Sequence, residues 1–295
     1  MARPSPLISV AELLDRVRAG QPDLRIVDCR WVLGQPEAGR LAYEAGHLPG
    51  AVHVDVGEDL ADPAGYGAPG RHPLPTPGGF AATMRRIGLR DAELVVAYDD
   101  LGGWVAARLW WMLETLGHEA VVVLDGGVQA WVAAGGELTT DVPAPVPSRP
   151  EELRLGGRWT GVIAREELKA RLGEVVLLDA RAAPRYRGET EPIDPVPGHI
   201  PTARNAPTDG NLAAPAGAFL PPAQLAERFR DLGADGSQGP VVTSCGSGIS
   251  ALHHALAMRA AGLPDPILYV GSYSDWSRSG EPVVTGPEPG EPPRA

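Results

Sequence analysis

The sequence holds only two cysteines, Cys29 and Cys245, which excludes a disulfide-stapled secreted scaffold. It has no excess of positive charge. Its 26 lysines and arginines face 37 aspartates and glutamates, for a formal net charge of -11. A protein that grips nucleic acid by neutralising phosphates needs the opposite balance. An acidic average still leaves room for a small basic pocket, which an anionic substrate needs. No run approaches 18 continuous apolar residues, so no membrane-spanning helix is expected. The first residues, MARPSP, carry neither an apolar secretory core nor a cleavage site. The expectation is a cytoplasmic protein. The chain also lacks G-x-G-x-x-G after a first strand, so dinucleotide binding has no support.

What is present begins with length. At 295 residues the chain is long enough for two domains of about 150 residues. Its 37 glycines and 31 prolines cluster locally between good apolar segments, which points to a loop-rich fold instead of disorder. The informative feature is a repeat. LRIVDCR, GHLPGAVHV, ELVVAYDD and AVVVLDGGVQAW in the first half return in order as EVVLLDAR, GHIPTARNAP, GPVVTSCGSG and PILYVGSYSDW. Asp28 maps to Asp179, His47 to His199, Asp99 to Cys245 and Trp131 to Trp276, always 145–152 residues apart. One domain is present twice.

Within each half, short runs such as RIVDC, LVVAY, VVLLDA and PVVTSC are apolar at consecutive positions, which suits strands covered on both faces. Helical patterns alternate with them. SVAELLDRVRAG offers Ser9 as an N-cap with Glu12 three residues later. VAARLWWMLETLG and ISALHHALAMRAAGL both end at glycine. The class read from this is α/β, with a mostly parallel central sheet flanked by helices in each half. The expected organisation is a first domain at 1–141, a proline-rich linker at 142–155, a second domain at 156–285 and, at 286–295, a tail that is either flexible or a surface strap. Ligands should bind at the carboxyl ends of the strands.

The sharpest candidate site is TSCGSGIS, 243–250, between a strand and a helix. Its glycines let the amides of Gly246, Ser247, Gly248, Ile249 and Ser250 curl toward the Cys245 sulfur. Such a nest at a helix start stabilises an anion and favours thiolate. Two readings fit the motif: a nucleophilic cysteine that forms a covalent intermediate, or a small buried cysteine in a glycine-rich turn. A cysteine phosphatase would place an arginine six residues on, where Ala251 stands, so the bidentate phosphate clamp is missing. Gly248 stands where a C-x-x-C redox site would have its second cysteine. Cys29, at a strand end in the other half, reads as packing. His253 and His254 are adjacent on a helix and cannot face one way, so no zinc site is expected. Trp104, Trp110 and Trp111 read as core or domain-interface packing.

The repeated frame and these motifs resemble the two-domain rhodanese-type sulfurtransferases, over about residues 5–285. IVDCR, GHLPGA, GRHPLP, AARLWWML, VLDGGVQAW, LLDARAAPRYRG, GHIP, SCGSG and YVGSYSDW carry the resemblance. The CGSG loop resembles the 3-mercaptopyruvate branch; the thiosulfate branch tends to have Arg and Lys where Gly246 and Ser247 stand. The resemblance implies a cofactor-free, metal-free enzyme. The Cys245 thiolate would take sulfur from a small anionic donor, 3-mercaptopyruvate or thiosulfate. It would pass the sulfur from a persulfide to cyanide, a small thiol or a thioredoxin-like acceptor. The alternatives are a thiosulfate:cyanide enzyme proper, or a persulfide carrier or regulatory module without turnover. A monomer is expected, because each half covers the other.

By the same resemblance Arg185, in APRYRG, holds the anionic end of the donor, and its fork suits a planar oxyanion. Ser247 relays a proton with His72, which would reach over from the first half. The first half has Asp99 in place of the nucleophile and is read as non-catalytic. Arg30 and Arg181 recur in both halves, so a shared structural ion pair is expected of them, with Asp28 and Asp179 tying down loops. Two departures stand out. Asp194 occupies the place of the family's second arginine, with Arg187 nearby as a substitute. Gly57 occupies the place of the acid that would accompany His72, with Asp55 and Glu58 adjacent. On this reading Asp194→Arg should sharpen selection for 3-mercaptopyruvate.

Overall fold

In the computed structural model the residues described are 4–62, 70–144, 147–214 and 217–293. Positions 145–146 of the expected linker and 294–295 of the expected tail fall outside them, as do 1–3 and 63–69 of the first half. The first half runs β1 (Leu7–Ile8), α1 (Val10–Arg18), β2 (Leu24–Asp28), α2 (Ala38–Ala45), β3 (Val52–His53), α3 (Pro77–Arg86), β4 (Leu94–Tyr98), α4 (Ala106–Thr115), β5 (Val121–Leu124) and α5 (Gly127–Ala133). The second half runs β6 (Val162–Ile163), α6 (Arg165–Ala170), β7 (Val176–Asp179), α7 (Ala183–Tyr186), β8 (Arg204–Asn205), α8 (Pro222–Asp231), β9 (Val241–Ser244), α9 (Ala251–Ala260), β10 (Ile267–Tyr269) and α10 (Ser272–Trp276).

The repeat is reproduced in three dimensions. One sheet has the order β1-β5-β4-β2-β3 and the other β6-β10-β9-β7-β8, all pairs parallel. Val27 faces Ala97 in the first sheet, as Leu178 faces Thr243 in the second. β7 and β9 are buried at every residue, as expected of a parallel sheet covered on both sides. Ser9 caps α1, accepting from the Glu12 amide at 3.2 Å. Asp28 and Asp179 hold Arg30 and Arg181 at 2.6 Å, and each arginine also donates to the carbonyl of the glycine before the GHLP or GHIP histidine. The recurrent pairs are therefore loop ties.

The halves meet through α4 and α9. Residues 106–113 of α4 and 251–258 of α9 are all buried, one side against their own sheet and the other against the partner helix. One apolar cluster runs through both halves, from Val27 and Trp110 to Leu252 and Leu256. Each fully buried Leu or Met there contributes about 1.5–3 kcal/mol, so the apolar contact, more than the linker, joins the halves. The linker packs as well: Leu153 is buried, and Ser148 Oγ donates to Leu89 O at 2.6 Å. Of the two forms expected of the tail, the structure has the strap. It straps the second half: the carbonyl of Glu288 lies 3.1 Å from His199 Nε2, and that of Pro289 accepts from the Thr202 amide at 2.7 Å. Prolines remove donors but leave carbonyls, and buried His199 supplies a partner. Among the described residues no helix is long and apolar enough to cross a membrane.

Candidate active site

Cys245 stands at the carboxyl end of β9 and is buried. Its sulfur accepts the Gly248 amide at 3.1 Å. Gly248 has φ +78, and a Cβ there would lie 2.5 Å from the Val270 carbonyl, so the turn requires glycine. The amide of Cys245 donates to Ser272 Oγ and its carbonyl accepts from Tyr273, which fixes the loop from α10. Of the five amides expected around the sulfur, that of Gly248 makes the hydrogen bond. Gly246, Ser247, Ile249 and Ser250 line the cleft in front of it.

The first half shows what this loop does with an anion. Asp99, at the place of Cys245, is fully buried, and its carboxylate accepts from the amides of Leu101, Gly103, Val105 and Ala106 at 2.6–2.9 Å. Burial pushes its pKa up while these four amides pull it down. The nest is intact there, filled by a carboxylate that cannot carry sulfur.

The cleft encloses about 470 Å³ between the halves. The first half contributes Trp31, Leu33, Arg71, Leu101 and Trp104, and the second contributes Cys245, its loop, Arg181, Arg185 and His253. Trp110 and Trp111 are buried as expected, but Trp104 lines the cleft and is only half-buried. A larger groove of about 560 Å³ lies elsewhere between the halves, away from Cys245.

His72 reaches over the cleft from the first half, and its Nδ1 lies 2.8 Å from Ser247 Oγ. The Trp31 ring meets the imidazole edge to face at 5.3 Å. Burial, with Arg108 and Arg71 adding, lowers the His72 pKa to about 4, so the ring is neutral at pH 7. Asp55 instead caps its own turn, accepting the amides of Gly57 and Glu58.

Arg185 lines the cleft and donates to Glu191 at 2.7 Å and to Asp194 at 3.3 Å. Burial opposes the charge of Glu191, but Arg185 and the Asp194 and Ile193 amides hold its pKa low. Arg187 is not beside it: it points to Glu189, at 2.7 and 2.8 Å, outside the cleft lining. Arg185 lies on the short α7 and Arg187 is its C-terminal cap, two residues on, so their side chains leave in different directions. Arg71 was not singled out in the sequence. It pairs with Asp194, and a Cβ on Gly246 would come within 2.9 Å of its Nη2. Its Nε is buried without a hydrogen-bond partner. Nothing local marks Arg71, because its carboxylate partner is 123 residues away.

Three histidines at and behind the cleft also set a pH dependence. Burial lowers the pKa of His253 to about 3 and that of His254 to about 4, beside His72 at about 4. The unfolded chain takes up these protons near pH 6.5, the folded chain only near pH 3–4. The unfolded state therefore binds more protons in between. Stability present above pH 6.5 is lost as pH falls toward 4, by about 2 kcal/mol per histidine on reaching pH 5. The melting temperature should drop steeply between pH 7 and 5, less so in His254→Gln. A flat profile would contradict neutral burial of these rings.

Comparison with known proteins places the chain. Two stretches, 9–134 and 164–279, match the rhodanese-like domain. A Pseudomonas aeruginosa protein provisionally named 3-mercaptopyruvate sulfurtransferase is 44% identical over 91% of this chain and 95% of its own length. A Mycobacterium tuberculosis protein provisionally named thiosulfate sulfurtransferase SseB is 42% identical over 94% and 95%. The solved structure of the Escherichia coli 3-mercaptopyruvate sulfurtransferase SseA superposes with a TM-score of 0.77 at 28% identity, covering 92% of this chain and 99% of that one. The chain belongs to the rhodanese family, with two rhodanese-like domains in tandem. It is a sulfurtransferase of the 3-mercaptopyruvate and thiosulfate type.

Proposed function

We propose that the chain takes sulfur from 3-mercaptopyruvate onto Cys245 and hands it to cyanide or a thiol. The observation that supports this donor is the His72–Ser247 pair, 2.8 Å apart beside the nucleophile. The Cys245 thiolate attacks the donor sulfur, the carbon–sulfur bond breaks and its electron pair stays on carbon as the pyruvate enolate. The donor's thiol proton must then reach that carbon, leaving pyruvate and a Cys245 persulfide anion. Ser247 and neutral His72 form the path for it. Thiosulfate would release sulfite, which needs no proton, so a proton relay serves the carbon leaving group specifically. Arg185 and Arg71 face the donor's carboxylate, with charge-assisted bonds as the attraction. Cyanide attacks the outer persulfide sulfur, leaving thiocyanate and the Cys245 thiolate.

The test is Ser247→Ala assayed with both donors. Removing a positioned proton path costs about 10²-fold or more. We expect that loss in kcat with 3-mercaptopyruvate and a change within about threefold with thiosulfate. Equal losses with the two donors, or none, would remove the basis for the preference.

A further inference from the structure

Arg108 is the third residue of α4, in the non-catalytic half, and is fully buried. Its donors meet backbone carbonyls: Nε to Leu60 at 2.9 Å, Nη1 to Gly248 at 3.0 Å, and Nη2 to His72 at 3.0 Å and Pro73 at 3.3 Å. Among the described residues no carboxylate forms an ion pair with it. A buried guanidinium without a counter-charge is costly. Burial lowers its pKa to about 10, and the negative charge that opposes this drop is that of Cys245.

The repeat supplies an internal comparison. His253, the third residue of α9, holds the equivalent position in the other half, and its Nε2 lies 3.1 Å from the carbonyl of Gly102. Each helix thus reaches across to a carbonyl in the loop of the other half. The charges differ. The loop that holds Asp99, already an anion in a nest of amides, receives a neutral imidazole. The loop that holds the reactive sulfur receives a permanent cation.

We propose that Arg108 is a positioning residue for sulfur transfer, lent by the non-catalytic half, that orients the Gly248 and His72 backbones and offsets the negative charge formed on Cys245. It holds Gly248 from the carbonyl side while the amide of the same residue meets the sulfur. It holds His72 by its carbonyl while the ring meets Ser247. The other charged or titratable groups lining the cleft are Arg71 from the first half and Arg181, Arg185, Asp209 and His253 from the second, with His72 on Ser247 and the carboxylates of Glu191 and Asp194 behind the arginines. Among the three arginines, Arg71 and Arg185 are engaged by Asp194 and Arg181 by Asp179, which leaves Arg108 as the guanidinium without a carboxylate. The inference rests on the reading that Cys245 carries the sulfur.

The experiment compares Arg108→Met and Arg108→Lys with the wild-type protein. The pH profile of Cys245 alkylation by iodoacetamide is followed, along with kcat and KM for each donor and thermal melting. In Arg108→Met the pH of half-maximal alkylation should rise by about one unit or more, because an opposite charge has been removed. Its kcat should fall about tenfold or more with both donors while KM changes within about threefold. Arg108→Lys keeps the charge but loses the fork, so its alkylation profile should return toward wild type while kcat stays low. A folded Arg108→Met with unchanged profile and kcat would overturn the inference. If Arg108→Met does not fold, Arg108→Lys decides: wild-type kcat there overturns the positioning role. If wild-type Cys245 takes up no sulfur from either donor, the proposed function fails. If the wild type loads and Arg108→Met loads equally fast, only the role of Arg108 fails.

Discussion

Replacing Cys245 with serine is expected to lower sulfur transfer by at least about 10⁴-fold with either donor, the scale seen when a nucleophile is removed from an enzyme. An alcohol can still accept the Gly248 amide, so the loop has no reason to collapse, but it is a far weaker nucleophile and forms no persulfide. The loss should appear in kcat without a drop in melting temperature. Cys29→Ser is the control. Cys29 is fully buried, and burial together with Asp99, Asp28 and Asp59 pushes its thiol pKa well up. A buried thiol held protonated is expected to be chemically silent, so its replacement should leave kcat within about twofold. Near-wild-type turnover in Cys245→Ser would mean that sulfur takes another route.

The second large effect reverses the expectation from sequence alone. Asp194→Arg should not sharpen donor choice; it should cripple the protein. The carboxylate of Asp194 is buried and gathers Arg71, Arg185 and Arg278 around it. A fourth guanidinium there would take the carboxylate from Arg71 and Arg278 and leave Arg185 with Glu191 alone, with like charges crowded at one point. Breaking a buried pair costs about 3–5 kcal/mol, and for a chain of this size each kcal/mol lowers the melting temperature by roughly 2–4 °C. We expect a fall on the order of 10 °C and loss of transfer with both donors. On the proposed reading, Arg71 from the other half, which lines the cleft, takes the place of the missing positive charge. A stable Asp194→Arg with a raised preference for 3-mercaptopyruvate would restore the simpler account.

Much of this was legible in the residues. The alternation of short apolar runs with amphipathic stretches gave the class, and the repeat gave two equivalent halves, because buried strands and the Asp–Arg loop ties leave a local signature. Cys245 and Gly248 were readable because a strand-to-helix nest needs glycine at fixed places. The side-chain role of Ser247, like those of His72 and Arg185, came only with the resemblance, and the structure brings all three to the cleft. The failures share one cause. Arg71 and Arg108 reach across the interface between halves, and pairing over more than a hundred residues has no local pattern. Arg187 was proposed from proximity in sequence to Arg185, yet a helical turn sends it elsewhere. The tail lacks periodicity, so its residues left a flexible segment and a surface strap both open; a strap needs only carbonyls aimed at buried partners, which no sequence pattern marks.

The central claim is that sulfur rests on Cys245 between donor and acceptor. The direct test is the intact mass of the protein after brief exposure to 3-mercaptopyruvate, followed by cyanide. The account predicts a gain of about one sulfur, roughly 32 Da, that cyanide removes and that Cys245→Ser never shows. A protein that stays at its original mass with 3-mercaptopyruvate and with thiosulfate, or one that gains sulfur equally in Cys245→Ser, would contradict it.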